Sequence, residues 1–223
     1  PVIDGNMIFV HGWEGGGEAE APTETPTWEE ALDLYDKNRD GRIFPDEVEP
    51  KMQKGFYLLD LDSKGYLAQR DWDFYRAKRA ARNTLLAIRH GSRGDLSDSG
   101  VVWRMQKFLP NVPSPLLYQG VLYLIKDGGI LSSIDPETGR IIKQGRLMGA
   151  LDTYYASPVA AAGRVYLFSQ TGQGTVVKAA GEWEIMASND MGEPVFATPA
   201  IVDDKIYVRT RSALYCFGQK TQN

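Results

Sequence analysis

The sequence predicts a mainly β protein, a partial β-propeller with about three and a half visible blades and a small α-helical insertion. Two observations lead to this fold class. Short strand-like segments recur with a period near 42 residues, and a loop rich in carboxylates, DKNRDGRIFPDE, interrupts the series. The content of 43% hydrophobic and 24% charged residues is typical of a soluble globular protein. The chain therefore has enough apolar residues for a core, and the repeat decides its architecture.

The repeat consists of a small hydroxyl residue, a proline, about four residues, a glycine or aspartate, and an alternating strand. Four segments fit it: PVIDGNMIFV from Pro1, SPLLYQGVLYL from Ser114, SPVAAAGRVYLF from Ser157 and TPAIVDDKIYVR from Thr198. Pro115, Pro158 and Pro199 are 43 and 41 residues apart. Further short strands follow each copy after glycine-rich turns. Because one such sheet cannot bury both of its faces alone, neighbouring copies are expected to stack as propeller blades.

The first copy is out of step, because Pro1 and Pro115 are 114 residues apart. Leaving out residues 12–82 restores a spacing of 43 residues, and NTLLAIRHG then supplies the missing second strand. We therefore predict blades from residues 1–11 and 83–223, a flexible linker over 12–26 and an inserted unit over 27–82. Phe9 and Leu86 should then lie on neighbouring antiparallel strands.

The inserted unit begins with a capping box, Thr27 and Glu30, and continues into a loop with the EF-hand pattern. Its candidate calcium ligands are Asp36, Asn38, Asp40, the backbone carbonyl of Arg42, and Glu47. Gly41 stands where the loop must turn sharply. Calcium is a hard cation that takes six to eight oxygen ligands, and alternate residues of a tight loop aim their oxygens at one centre. This loop predicts one calcium site.

A second loop, DLDSKGYLAQRD, begins at Asp60. Its weaker candidate ligands are Asp60, Asp62, Tyr66 and Asp71. Lys64 stands at the position where an oxygen is needed, and its ammonium would either oppose a divalent cation or stand in for it. We expect this loop to be a structural partner of the first loop, with Leu67 paired beside Ile43. A second calcium site is the alternative.

The composition narrows the possible partners. A net charge of −4 and a pI near 5.3 argue against nucleic acid, and no apolar run reaches the length of a membrane span. The one cysteine, Cys216, excludes an internal disulfide and is predicted to be a buried small hydrophobe. The start at Pro1, without a signal peptide, suggests a mature or truncated piece of a longer protein.

IDPETGR, from Ile134, resembles the signature of the pyrroloquinoline-quinone-like propeller repeat. The chain is similar to bacterial propeller proteins of that superfamily that carry an EF-hand insert. It departs from the pattern at Lys143, where the family has a tryptophan, and only Trp103 and Trp183 lie near equivalent strands. The resemblance implies weaker docking between blades at that position.

The resemblance implies two candidate functions, a binding scaffold and a dehydrogenase. Many relatives are non-enzymatic scaffolds that bind other proteins, some of them at the bacterial outer membrane. Others are quinoprotein dehydrogenases that oxidise alcohols or sugars with calcium beside the quinone, and the alcohol-oxidising ones also use adjacent cysteines. The single cysteine, and the lack of an evident partner for His11 and His90, favour the scaffold, so we do not expect pyrroloquinoline quinone. Asp135 is expected to stabilise its turn rather than act as a base.

We therefore predict a non-catalytic, calcium-binding propeller that acts as a binding module in the periplasm or outside the cell. Its partner is expected to be a protein or the remaining blades, which precede Pro1 in the gene or come from another chain. A pyrroloquinoline-quinone-dependent dehydrogenase is the alternative. Carbohydrate binding by Trp103, Tyr154 and Tyr155 is a weaker third possibility, and packing between blades is the favoured role for these aromatic residues.

Overall fold

The structure is a computed structural model of the chain. It describes residues 1–12, 24–80, 83–91, 93–96, 99–149 and 151–218, so most of the predicted linker lies outside the described residues. The chain forms two compact units, which divide between residues 18 and 19 and between residues 82 and 83. Within the described part of the chain, no helix is long and apolar enough to cross a membrane.

The first unit, residues 1–12 and 83–218, is built from antiparallel sheets whose neighbouring strands are consecutive in the chain. The first sheet contains β1 (Val2–Asp4), β2 (Met7–Gly12), β3 (Thr84–Arg89) and β4 (Val101–Met105). The second contains β5 (Leu116–Tyr118), β6 (Val121–Lys126), β7 (Ile130–Ile134) and β8 (Ile141–Arg146). The third contains β9 (Val159–Ala161), β10 (Arg164–Phe168), β11 (Gln173–Lys178) and β12 (Ile185–Asp190). The fourth contains β13 (Ala200–Val202), β14 (Lys205–Arg209) and β15 (Leu214–Gly218).

The first sheet joins strands from both sides of the inserted sequence. Strands β2 and β3 pair antiparallel, with Phe9 opposite Ala87 and Val10 opposite Leu86. The prediction that Phe9 and Leu86 lie on neighbouring antiparallel strands is confirmed. The long gap between Pro1 and Pro115 is therefore an interruption of one sheet.

The repeated segment is a hairpin rather than one strand. The stretch before its glycine or aspartate, predicted only as a connection, forms a short strand such as β5, β9 or β13. The two turn residues that follow have positive φ values between 48° and 72° in the last three copies: Gln119–Gly120, Ala162–Gly163 and Asp203–Asp204. Two-residue turns of this conformation match the twist of paired strands, and glycine, asparagine and aspartate tolerate it best. The turn geometry explains the glycine or aspartate in the repeat.

Successive sheets pack on one another through apolar faces. The first and second sheets share a core that includes Phe9, Leu85, Ala87, Leu122, Leu124 and Ile134. The second and third share Tyr123, Ile125, Leu131, Val165, Leu167 and Val177. The third and fourth meet at Phe168, Val195 and Val208. This series of stacked antiparallel sheets, three with four strands and the last with three, confirms the predicted mainly β fold, a partial propeller.

The hydroxyl residues that open the last three repeats link neighbouring blades. The backbone N–H of Ser114 donates to Ser157 Oγ at 2.9 Å, and the backbone N–H of Ser157 donates to Thr198 Oγ1 at 3.0 Å. The same bond is thus made twice, each time from one blade to the next. The sequence showed the recurring hydroxyl but not its function, because the bond joins residues 43 and 41 positions apart.

Trp103 docks the first blade on the signature turn of the second. Its indole N–H donates to the carbonyl oxygen of Pro136 at 2.9 Å. Its ring lies so close to Gly139 that a Cβ atom there would be 2.7 Å from Trp103 Cδ2. The glycine of IDPETGR therefore leaves room for a tryptophan of the preceding blade.

The corresponding contact between the second and third blades is built differently. Lys143 stands at the matching position of β8, and its Nζ donates to the carbonyl oxygen of Trp183 at 2.6 Å and lies 4.7 Å from the Trp183 ring centroid. Trp183 is only 4% exposed and covers Gly145. The sequence predicted a weaker contact here, but the structure supplies an aromatic ring from the following blade.

Trp103→Ala is expected to lower the free energy of unfolding of the propeller unit by about 3 kcal/mol, because it removes a large ring and an indole hydrogen bond. Equilibrium urea unfolding of the full chain measures this change. Val102→Ala on the same strand, where Val102 is 40% exposed, is the control and should cost less than about 1 kcal/mol. Equal losses in the two variants would contradict docking through Trp103.

The prediction that Cys216 is buried is wrong. Cys216 is exposed, as are all five residues of β15. This strand is at the edge of the three-stranded fourth sheet. The apolar pattern SALYCFG predicted the strand correctly but could not show that no described sheet covers it.

His11, on β2, is half-buried and binds the second blade. Its Nε2 lies 2.9 Å from the carbonyl oxygen of Pro113, while Nδ1 is buried without a hydrogen-bond partner among the described residues. Because Nε2 faces a carbonyl oxygen, it carries the proton of the neutral ring. A second proton on Nδ1 would make the imidazole a half-buried cation with no acceptor for that proton. Burial is accordingly the main reason that the pKa of His11 is lowered from its usual value of 6.5.

The stability of the propeller unit is expected to fall as the pH drops below about 6.5, since an unfolded histidine takes up a proton there that folded His11 resists. Thermal unfolding between pH 7 and 5.5 tests this, above the range where carboxylates titrate. His11→Gln should flatten the dependence. His90→Gln, which replaces the exposed second histidine, should keep it. A His11→Gln profile identical to the wild-type profile would rule out this cause.

The second unit, described over residues 24–80, is mostly helical. Its elements are α1 (Trp28–Tyr35), α2 (Pro50–Gln53), a 3-10 turn (Phe56–Leu58) and α3 (Gln69–Ala80). The predicted capping box is confirmed, because Thr27 N–H donates to Glu30 Oε2 at 2.8 Å and Glu30 N–H donates to Thr27 Oγ1 at 3.3 Å. The buried core of this unit consists of Ala31, Ile43, Val48, Phe56, Leu67 and Trp72.

Candidate metal centre

Two oxygen-rich loops of the second unit are joined by a short β bridge. Ile43 and Leu67 exchange both backbone hydrogen bonds, at 3.1 Å and 2.8 Å, and both side chains are fully buried. The predicted pairing of Leu67 beside Ile43 is confirmed. The bridge fixes the two loops side by side, so each loop supports the conformation of the other.

The first loop is folded around the side chains of its opening residues. Asp36 accepts the backbone N–H groups of Asp40 at 3.2 Å and of Gly41 at 2.9 Å, one on each carboxylate oxygen. Asn38 Oδ1 accepts the backbone N–H of Asp40 at 2.9 Å, and Asp40 Oδ1 accepts that of Arg42 at 3.0 Å. Gly41 has a φ of 77°, the left-handed conformation that glycine adopts without strain. These bonds hold the loop in a tight turn.

Glu47 closes the first loop. Its Oε1 accepts the backbone N–H of Lys37 at 3.0 Å, its Oε2 accepts that of Phe44 at 2.8 Å, and the residue is only 8% exposed. One carboxylate thus ties the beginning of the loop to its end. These two hydrogen bonds fix the position of the last predicted ligand, Glu47.

The donor set of the first loop fits calcium. Three carboxylates and one amide supply side-chain oxygens, which are the ligands that a hard cation prefers. The two loops differ in the distances between their carboxylate oxygens. In the first loop, Asp36, Asp40 and Glu47 do not each place an oxygen within 4.8 Å of the other two. Their oxygens are each engaged with loop N–H groups. The chemistry of the donors fits calcium, although the structure does not bring the oxygens of these three carboxylates together at one centre.

The second loop brings its carboxylates closer together. Asp60, Asp62 and Asp71 each place one oxygen within 4.8 Å of the others, so this group could hold a metal ion. The ammonium of Lys64 already contacts two of them, with Nζ at 2.6 Å from Asp62 Oδ1 and 2.8 Å from Asp71 Oδ2. The fourth candidate, Tyr66, packs its ring against Phe44 with centroids 5.7 Å apart.

The electrostatics of the second loop follow from this contact. Hydrogen bonds to Asp62 and Asp71 raise the pKa of Lys64. For Asp71, which is 1% exposed, burial alone would raise the pKa, but the bond from Lys64 and the backbone N–H groups of Ala68 and Leu61 outweigh burial and lower it. The ammonium of Lys64 and the carboxylate of Asp71 thus stabilise each other in their charged forms. The sequence indicated that Lys64 would either oppose a divalent cation or stand in for it. The structure shows its ammonium in contact with the carboxylates of Asp62 and Asp71.

Asp135 and His90, which were weighed above as catalytic residues, both form hydrogen bonds with backbone groups. Asp135 Oδ1 accepts the backbone N–H of Glu137 at 2.9 Å, and this bond is the largest cause of its lowered pKa. The prediction that Asp135 stabilises its turn is confirmed. His90 Nε2 lies 3.0 Å from the carbonyl oxygen of Gly5, within the first sheet and its turn.

The three aromatic residues considered for carbohydrate binding do not form an exposed platform. Tyr154 is fully buried in the core between the second and third blades, and burial raises the pKa of its hydroxyl. Trp103 is half-buried in its docking contact. Tyr155 is 39% exposed and packs against Phe196 with ring centroids 5.4 Å apart. The favoured interpretation, packing between blades, describes Tyr154 and Trp103.

The fold and the loops define a class of protein, a partial β-propeller that carries a helical unit with paired oxygen-rich loops. The chain matches no family model, and it is similar to no curated protein.

Among solved structures, BamB from Moraxella catarrhalis is 16% identical with a TM-score of 0.49, over 60% of this chain and 39% of that chain. A europium-containing methanol dehydrogenase is 13% identical with a TM-score of 0.36, over 48% of this chain and 21% of that chain. The matched part of this chain spans less than half the length of either structure.

Proposed function

We propose that this chain is a non-catalytic, calcium-binding propeller of the pyrroloquinoline-quinone-like type that acts as a binding or scaffold module in the cell envelope or outside the cell. The helical unit is then an EF-hand pair with one calcium site in the first loop. The observation that carries the proposal is the first loop itself. Four side chains with oxygen donors lie along a loop that turns at Gly41, with a φ of 77°, and each accepts a backbone N–H of the loop.

The residues that would hold calcium are Asp36, Asn38, Asp40 and Glu47 by side-chain oxygens and Arg42 by its backbone carbonyl. The ion would supply positive charge to three carboxylates that otherwise repel one another. Its contribution is structural, because the site belongs to a unit whose helices and bridge are compact around a buried core. Calcium is plentiful outside the cytosol, and a structural site of modest affinity suits such a compartment.

The propeller unit offers a surface for protein binding. The face of the fourth sheet opposite Val208 carries apolar residues, of which Val202 is 53% and Leu214 is 63% exposed. In the other blades the equivalent face is covered by the next sheet. The partner that this face fits is another blade of the same repeat, which comes from the rest of the protein or from a second chain.

The bond between repeats gives this partner a distinguishing feature. Ser157 and Thr198 each accept the N–H of the hydroxyl residue one blade earlier. By the same relation, the backbone N–H of Thr198 is expected to face the hydroxyl of a following Ser-Pro or Thr-Pro segment. The partner blade should therefore begin with that dipeptide.

Calorimetric titration of the full chain with calcium, after treatment with a chelator, tests the metal half of the proposal. We expect one site per chain that persists in the presence of excess magnesium, which demands a smaller octahedral shell. A dye-linked oxidation assay with alcohols and sugars, in the presence of added pyrroloquinoline quinone, should give no turnover. Absence of calcium binding would refute the calcium site, and quinone-dependent turnover would favour the dehydrogenase instead.

A further inference from the structure

The second loop contains a positive charge of its own. Lys64 is the fifth residue of the twelve, where the first loop has Asp40. The lysine side chain turns back into the loop, where its Nζ contacts Asp62 and Asp71 at 2.6 Å and 2.8 Å. Its side chain is only 23% exposed, so the ammonium is not simply a solvated surface charge.

The first and last carboxylates of the second loop accept the same backbone N–H bonds as those of the first loop. Asp60 accepts the backbone N–H groups of Lys64 at 3.1 Å and of Gly65 at 2.7 Å, as Asp36 does with Asp40 and Gly41. Asp71 accepts those of Leu61 at 3.2 Å and Ala68 at 2.8 Å, as Glu47 does in the first loop. The second loop therefore has the complete fold of an ion-binding loop, and a side chain supplies the cation.

We propose that Lys64 is a built-in cation that replaces the metal ion in the second loop. It holds the loop closed at any calcium concentration and so keeps the Ile43–Leu67 bridge formed. The first loop is then supported by a permanently folded partner, and calcium binds to one loop only. This inference rests on the proposed function only where it assigns calcium to the first loop.

Electrostatics favour the ammonium over a divalent ion in the wild-type loop. Three carboxylates face one ammonium, and a divalent ion among the same oxygens would lie within a few ångström of that ammonium. At this distance the two positive charges would repel each other, which disfavours the divalent ion while the ammonium is in place. The ammonium is covalently part of the chain, whereas calcium must bind from solution. The ammonium therefore occupies the second loop at all calcium concentrations.

Two substitutions at the same position separate charge from ligation. Lys64→Met removes the ammonium and supplies no oxygen. Lys64→Asn also removes it but leaves three carboxylates and one amide, the donor set of the first loop. We expect calorimetry on the full chain to give one calcium per chain for wild type and Lys64→Met, and two for Lys64→Asn.

Amide hydrogen exchange in the presence of a chelator measures the closing of the loop directly. The backbone N–H groups of Leu67 and Ile43 should be protected in the wild type and should exchange at least about tenfold faster in Lys64→Met. Lys51→Met, at an exposed lysine of α2, is the matched control and should leave both protected. Unchanged protection in Lys64→Met would overturn the proposal.

Combination with Asp36→Ala separates this inference from the proposed function. Asp36→Ala alone should bind no calcium, and Asp36→Ala with Lys64→Asn should bind one. If wild type binds none, the first site is wrong, while a gain of one in Lys64→Asn would still support the built-in cation. If Lys64→Asn gains no calcium, or if the wild type binds two, Lys64 does not replace the metal.

Discussion

Asp36→Ala is expected to abolish calcium binding by the full chain. Asp36 is a predicted ligand and is also the side chain that accepts the N–H groups of Asp40 and Gly41. The substitution therefore removes one oxygen ligand and loosens the turn that positions the others. Because calcium needs six to eight oxygens in one shell, a loop that has lost both features cannot compensate with water alone.

The measurement is calorimetric titration with calcium after treatment with a chelator. Asp33→Ala is the matched control, since Asp33 is an exposed carboxylate of α1 only three residues earlier and outside the loop pattern. It should retain the wild-type stoichiometry. Equal binding in Asp36→Ala and wild type would show that the ion, if bound, lies elsewhere than in the first loop.

Gly172→Ala is expected to be the most destabilising single substitution among those considered in the propeller unit, with a cost of about 4 kcal/mol or more. Gly172 has a φ of 101°, and a Cβ atom there would collide with the backbone carbonyl oxygen of Glu193. The neighbouring backbone cannot yield easily, since Gly172 donates to Ser169 at 3.1 Å and accepts from Met191 at 3.0 Å. Both bonds would have to shift to relieve the clash.

Gly163→Ala separates the clash from the backbone conformation. Gly163 has a φ of 71° with nothing within 4 Å of its Cβ position, so alanine there should cost only about 1 kcal/mol. For a unit of this size we expect the thermal midpoint to fall by about 10 °C in Gly172→Ala and about 3 °C in Gly163→Ala. Scanning calorimetry at pH 7 with saturating calcium measures both. Similar midpoints in the two variants would show that the close contact does not determine stability.

The predictability of the candidate site differed between its two loops. Spacing alone predicted a ligand set for the first loop, because position along a twelve-residue loop determines which side chains face its centre, and this set stays a prediction. In the second loop, spacing identified Lys64 as the unusual residue but left open whether its ammonium would point out or in. A flexible four-carbon chain has many rotamers of similar energy, and the contacts with Asp62 and Asp71 select one of them.

The interfaces between blades were the least predictable part of the fold. Lys143 departed from the family pattern, yet Trp183 of the next blade fills the contact and covers Gly145. The exposure of Cys216 was also not predicted from the sequence. An apolar strand pattern shows which residues suit a covered face, but whether a neighbouring sheet covers that face is a property of the assembled sheets.

The amino-acid sequence was enough to predict the repeat, the interruption of the first blade and a loop with the spacing of a calcium-binding pattern. Each of these is encoded in local spacing: a period near 42 residues, a two-residue turn, or alternate oxygens around a glycine. The docking of Trp103 on Gly139 and the position of Lys64 inside its own loop became visible only in the folded chain. The physical reason is that these contacts join side chains whose rotamers and neighbours are chosen by packing and by charge, after the backbone has brought distant residues together.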